Sequence, residues 1–370
     1  MRNFSLGKLF GIRLELHSTF ILLIAAITGF LAIFDFPSLV PTLVLLFFLF
    51  VSVFIHELFH SIVAISKGIK VEKITLLPIG GISLTEEIPE KPLDEFLIAV
   101  AGPMFNFIVV VLIALLLSFF PQLPWPWHIF TDPAAGAEEL NQALLDFPLF
   151  SLFWVNLVLG AFNLFVPALP LDGGRVLRSI LSWRLGFSKA TRIAAGVSTV
   201  LSLFLFLIGF FSGNIILLII AIFIYLGAGQ ENEFAALKET LKGVDLTAVL
   251  NKKPLILKQE TTLEEAFQLL QKKNQTAFLV ETGNGIGFVS VDVLEGIKRS
   301  RWPVVNVAEA AAELPKISLT DSPIKIVTKS LSRNYPFTLV YSSGKLVGVI
   351  DEEQLRKFLK ITKLNKESQH

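Results

Sequence analysis

His56, Glu57 and His60 stand in the stretch "FIHELFHS", residues 54–61. On a helix, residues four apart project from one face a turn apart, so the two imidazoles can share one ion with the glutamate beside them. This H-E-x-x-H spacing suits Zn2+ held by the histidine pair, with Glu57 taking a proton from a water whose pKa the ion has lowered. So short a pattern also arises by chance on soluble helices. Its setting weighs against chance, because "PTLVLLFFLFVSVF" precedes it and "IVAI" follows. Three ionisable groups inside an apolar span are expensive in hydrocarbon and are by default functional.

A catalytic zinc needs a third protein ligand and an open position. The chain has no Cys, which excludes thiolate ligands and a disulfide framework. The other three histidines are His17, His128 and His370, none at metzincin spacing after His60. A carboxylate is therefore required, and Asp172 in "NLFVPALPLDGGRVLR" meets the need at the end of the fourth apolar run. Pro167 and Pro170 interrupt the helix before it, and Gly173–Gly174 allow backbone geometries closed to other residues. The bland reading of "PLDGGR" is a helix-ending turn. Glu86 and Glu87 stay open as rival ligands, since spacing does not separate them from Asp172.

The elements that must position these groups follow from composition. Of 370 residues 53% are hydrophobic and 17% charged, with a mean hydropathy of +0.67, too apolar for an ordinary soluble globule. A net charge of +1 gives no reason to expect direct nucleic-acid binding. Apolar runs near 18–34, 39–66, 94–118, 148–170, 191–211 and 214–228 predict six membrane spans. No small-residue cleavage site follows the first run, so it is expected to be retained. Basic residues fall before span 1, between spans 2 and 3 and between spans 4 and 5, while the loop at 119–147 has none. The positive-inside rule then puts the amino terminus and everything after span 6 in the cytosol, with Trp125 and Trp127 of the opposite loop at the membrane interface. From about 230 the chain turns charged. Residues 254–297 and 316–359 repeat one order of strand, helix, strand, Gly turn, strand and helix. The expected organisation is a membrane domain over 1–229, a linker over 230–243 and a soluble α/β unit over 244–370, with repeats at about 244–300 and 301–360.

"HELFHS", "LPLDGGRVLR" and "PIGGISLTEEIPEKPLDEFLIAVAGPMFN" occur in this order and together resemble the site-2 protease family of intramembrane zinc metalloproteases. More narrowly, the chain is similar to the branch that carries a C-terminal pair of cystathionine-β-synthase-type (CBS) domains, near the sporulation pro-sigma-factor protease. The resemblance implies a polytopic α-helical membrane protein of about six transmembrane helices with a membrane-associated β-hairpin, plus a cytosolic α/β CBS pair. It implies one Zn2+ on His56, His60 and Asp172 with Glu57 as general base. Asn106 and Asn163 would support the site or hold the substrate backbone, and the Gly80–Gly81 stretch would pair with an unwound substrate strand. One residue more than in the family pattern separates Asn163 from Pro167, which turns a helix by about 100°. The implied activity is endoproteolysis of a membrane-spanning or membrane-tethered protein in the bilayer near its cytosolic face, the substrate being a transcription regulator or its inhibitor. CBS pairs often dimerise and often bind adenine nucleotides. Gly287, Ser290 and Asp292, and Gly348, Asp351 and Gln354, follow that nucleotide pattern imperfectly. A CBS-regulated transporter or channel is the alternative; it predicts duplicated hydrophobic halves, which residues 1–228 do not display.

Overall fold

Residues 12–17, Ile-Arg-Leu-Glu-Leu-His, alternate apolar and polar side chains, the period of a strand. In the structure, a computed structural model describing residues 3–77, 80–85, 89, 91–132, 136–283, 285–331 and 335–367, they form β2 (Ile12–His17), paired antiparallel with β1 (Asn3–Leu9). Phe10 and Gly11, with φ of 50° and 82°, make the two-residue turn whose positive dihedrals match strand twist. His17 then caps α1 (Ser18–Phe34), its Nδ1 accepting the Thr19 N–H at 3.3 Å. A short 3-10 turn leads to α2 (Leu39–Ser66), followed by β3 (Val71–Leu77) and β4 (Gly80–Thr85). β2 and β3 pair in parallel, giving a four-stranded sheet of order β1-β2-β3-β4. Sequence reasoning expected only the β3–β4 hairpin here. The added strands matter because Ile12, Val71 and Ile74 pack with Leu58 and Ala64 of α2, tying the sheet to the helix that carries His56 and His60.

Pro92 opens α3 (Pro92–Phe119), where the absent N–H of a first-turn proline is not missed. Beyond α4 (His128–Thr131) and α5 (Ala137–Asp146), Pro148 opens α6 (Pro148–Phe165) in the same way. The fourth apolar run is thus helical only to Phe165, and Val166–Leu171 form an irregular link into α7 (Asp172–Leu185). That helix lies where a loop was expected. α8 (Phe187–Ser212) ends at Gly213, whose φ of 66° is the left-handed C-cap geometry glycine allows, and α9 (Ile215–Leu241) completes the set. Residues 230–241, expected as linker, are therefore helical.

Phe36–Ser66, α3, α6, α8 and α9 are long and apolar enough to cross a membrane, and α1 adds a shorter apolar helix of 17 residues, the lower end of the roughly 17–25 a span needs. Their burial is inverted relative to a soluble protein. Ile33, Phe34, Phe119 and Phe211 are 72–82% exposed, while Ser52, Asn106, Asn156, Thr191 and Ser198 are buried. Apolar side chains face outward and polar ones inward, as lipid demands. The chain is a multi-pass helical membrane protein.

The chain forms two compact units, Met1–Ala235 and Ala236–His370. The second unit contains β5 (Ile256–Leu257), α10 (Leu263–Lys273), β6 (Ala277–Thr282), β7 (Gly285–Ser290), α11 (Val291–Glu295), α12 (Val307–Ala310) and β8 (Ala312–Glu313). Then come β9 (Lys316–Ser318), α13 (Pro323–Ser330), β10 (Phe337–Ser342), β11 (Lys345–Asp351) and α14 (Glu352–Glu367). Both halves have a parallel pair followed by an antiparallel hairpin: β5 with β6 and β7, β9 with β10 and β11. Alternate residues of β6 serve different cores. Phe278 and Val280 pack on α10, whereas Ala277 and Leu279 meet Leu339 and Val349 of the other repeat. The duplication read in the sequence is thus a two-sheet unit in which each repeat has its own core and the two share a third between them.

Candidate metal centre

α2 presents His56 and His60 one turn apart, with their Nε2 atoms 3.0 Å from each other. Asp172 is the first residue of α7, and its Oδ2 lies 3.1 Å from His56 Nε2 and 3.3 Å from His60 Nε2. All three residues are buried. What brings the aspartate there is the irregular link. Leu169 donates its N–H to Ser198 Oγ of α8 at 2.7 Å, and α7 folds back against residues 164–169. A Cβ on Gly173 would strike the Leu164 and Val166 carbonyls, and one on Gly174 the backbone of Ala168 and Leu169. These glycines therefore serve close backbone approach, not the unusual dihedrals expected of them.

Each imidazole is oriented by an acceptor at its other nitrogen. His60 Nδ1 stands 2.6 Å from the Ile98 carbonyl, and His56 Nδ1 2.5 Å from Asn106 Oδ1. An acceptor at Nδ1 keeps the proton there and leaves a lone pair on Nε2. Two such nitrogens and a carboxylate oxygen converge, a repulsive arrangement until a proton or cation stands among them. Their separations are close to the edge of a tetrahedron with ligands 2.0–2.1 Å from a zinc ion, about 3.3 Å. Space is kept beside them: a Cβ on Gly102 of α3 would overlap His60 Nε2 and come within 2.6 Å of His56 Nε2. Donor set and cradle both fit zinc.

Glu57 is half-buried, with a carboxylate oxygen within 4.8 Å of donor nitrogens of both histidines. It could itself ligate an ion. Asp172 is the better third donor, since its oxygen is within 3.3 Å of both Nε2 atoms, and the Glu57 carboxylate forms no hydrogen bond among the described residues, only its backbone carbonyl accepting from Ser61 Oγ at 2.9 Å. That leaves the carboxylate free for proton transfer.

Of the other residues singled out in the sequence, Asn106 joins the cluster and is fully buried. Asn163 is half-buried on α6 and makes no side-chain hydrogen bond among the described residues. Gly80 and Gly81 lie in β4 opposite Leu77 and Leu76, on a strand at the sheet's outer edge. Glu86 and Glu87 fall outside the described residues, as does His370. In the second unit Ser290 Oγ and Asp351 Oδ1 cap α11 and α14, accepting from Val293 N and Gln354 N.

Sequence reasoning missed Asn156 and Ser52, both buried. Asn106 Nδ2 donates to Asn156 Oδ1 at 2.8 Å, and Asn156 Nδ2 donates to Ser52 Oγ at 3.0 Å. Two signals were available: an amide inside an apolar run, and a serine four residues before His56 on the same helical face.

The family described as Peptidase family M50 matches residues 44–208, and the CBS domain matches residues 246–294. A zinc metalloprotease of Methanocaldococcus jannaschii is 33% identical over 364 residues, covering 98% of this chain and 97% of that protein. Stage IV sporulation protein FB of Bacillus subtilis is 33% identical over 144 residues, 38% of this chain and 41% of its own. The solved site-2 protease from M. jannaschii is 40% identical over 62% of this chain and 95% of its own, with a TM-score of 0.45.

Proposed function

The chain belongs to peptidase family M50 and is a zinc metalloendopeptidase with a CBS domain, and from that premise we propose that His56 Nε2, His60 Nε2 and Asp172 Oδ2 hold the zinc ion and that Glu57 is the general base. When bound, zinc supplies Lewis acidity toward the scissile carbonyl and the attacking water. Glu57 accepts the proton of that water on a carboxylate oxygen and returns it to the leaving amine nitrogen. Asn106 and the Ile98 carbonyl hold the two imidazoles in register. The observation that carries the assignment is the convergence of three donor atoms within 3.0–3.3 Å of one another.

The substrate in this reading is a membrane-spanning or membrane-tethered protein, cut near the cytosolic face in regulated proteolysis that releases a transcription regulator or removes its inhibitor. A peptide helix hides its carbonyls in its own hydrogen bonds, so the scissile segment must be extended. Among the described residues β4 is the outer strand of its sheet, the position at which such a strand would add, and the uncommitted Asn163 amide is a further candidate contact. Basic residues before α1, between α2 and α3 and between α6 and α8 support a cytosolic amino terminus and CBS unit. Coexpression with candidate single-span substrates tests the whole: Glu57→Gln is expected to abolish cleavage while zinc stays stoichiometric, and persistent cleavage removes Glu57 from its role.

The second unit has a shallow, open cleft of about 400 Å3 lined by Lys316, Ile317, Ser318, Tyr341, Ser343 and Gly344. An amine among hydroxyls suits a phosphate-bearing ligand, and we assign it an adenine nucleotide with a regulatory role, the CBS pair also serving as a homodimer contact. Calorimetric titration of the full chain with ATP and AMP tests this. No heat at millimolar ligand would leave the unit a structural role.

A further inference from the structure

His60 and His56 reach the same protonation pattern by unequal means. The acceptor at His60 Nδ1 is the backbone carbonyl of Ile98, which cannot turn round. At His56 Nδ1 it is Asn106 Oδ1, half of an amide whose other half is a donor. Rotating the Asn106 amide by 180° would present Nδ2–H to His56 Nδ1, draw the imidazole proton to Nε2 and remove the lone pair directed at the ion.

What prevents that rotation is Asn156. Its Nδ2 is 2.8 Å from the Leu152 carbonyl, which can only accept, and 3.0 Å from Ser52 Oγ. Asn156 Oδ1 therefore faces Asn106 and accepts from its Nδ2 at 2.8 Å, so Asn106 Oδ1 faces His56. Both amides are 0% exposed, and a polar group left unpaired at such a depth is expensive. Gly160 permits the close approach of α6 and α3, since a Cβ there would stand 3.0 Å from Asn106 Cβ.

We propose that Asn156 is a positioning residue for zinc: anchored on the Leu152 carbonyl, it holds the Asn106 amide in the orientation that keeps the His56 proton on Nδ1. The inference deepens, and rests on, the reading of His56 as a zinc ligand. Outer partners of this kind typically contribute about 10–100-fold to metal affinity.

The test is zinc affinity of the purified full-length protein, measured by competition with a chromophoric chelator. Asn156→Ala, and Asn156→Leu with its closer volume, should each weaken zinc binding about 10–100-fold. Adding Asn106→Asp to either should restore it to the level of Asn106→Asp alone, because both carboxylate oxygens accept and no orientation needs enforcing. A packing defect at position 156 would not be repaired that way. Unchanged affinity in both single variants, or no recovery in the double variants, overturns the proposal. His56→Ala, run in parallel, separates the two levels. If it binds zinc as tightly as the intact protein, the ligand assignment fails and this inference with it; if it loses zinc while the Asn156 variants keep it, only the positioning role falls.

Discussion

Arg178 and Glu95 form an ion pair in which each side chain is only 1% exposed, the guanidinium Nε lying 2.7 Å from Glu95 Oε1. A second guanidinium nitrogen reaches Glu231 Oε2 of α9 at 2.6 Å. Glu95 stands one turn before Ile98, whose carbonyl orients His60, and Arg178 stands six residues after Asp172 on α7. The pair thus ties together the two elements that complete the proposed metal site.

Removing one partner of a buried pair leaves an uncompensated charge and costs about 3–5 kcal/mol, whereas replacing both with apolar residues is often neutral. Arg178→Met is therefore expected to lower the apparent midpoint of thermal unfolding in detergent by roughly 6–20 °C, at about 2–4 °C per kcal/mol for a unit of this size. Arg178→Met with Glu95→Leu should recover most of the loss. A single variant as stable as the parent would mean that the pair contributes nothing.

Asp172→Asn tests the third donor with little change in shape. The amide brings no charge, and one of its two ends is an N–H that would face the histidine lone pairs. Zinc affinity is expected to fall by more than the ~10–100-fold that loss of an outer partner produces, and proteolysis with it. Chelator competition measures this directly, and near-parental affinity would shift the third-ligand role to Glu57.

How much of this was visible in the sequence depended on the range of the interactions. The histidine pair is a local pattern, and the expense of ionisable groups in hydrocarbon made it readable. Asp172 was reachable because prolines and glycines announce a broken helix. The strands β1 and β2 were not read, since a short alternation pairs with β3 only after α1 and α2 have intervened. In sequence α7 reads as a loop between two spans because its glycines and arginines look solvated, yet Gly173 and Gly174 allow close packing and Arg178 is buried. Its partners Glu95 and Glu231 lie 83 and 53 residues away, and no pattern within a window reveals that pairing.

Gly102→Ala probes the space beside the histidines. The added methyl would stand 2.6 Å from His56 Nε2, well inside van der Waals contact, so the rings must move or the ion must leave. Overpacking of this kind costs about 1–3 kcal/mol. The expected result is loss of zinc together with a lower unfolding temperature. Gly196→Ala, on α8 with nothing within 4 Å of the added carbon, should leave zinc content unchanged. A zinc-replete Gly102→Ala protein would show that the cradle is not where the ion sits.

In the second unit, structural and ligand roles can be pulled apart. A Cβ on Gly348 would come 2.7 Å from the Asn251 carbonyl, and one on Gly287 2.8 Å from the Ala312 carbonyl. Both glycines are required by neighbouring backbone whatever the unit binds, so Gly348→Ala should destabilise it by about 1–3 kcal/mol with or without nucleotide. Lys316 lines the cleft and lies at the start of β9. Lys316→Ala should leave thermal unfolding within about 0.5 kcal/mol of the parent, as surface changes usually do, while weakening the heat signal with ATP. Should Lys316→Ala bind ATP as the parent does, the nucleotide is not held in this cleft, and a fall in stability on its substitution would make the lysine structural.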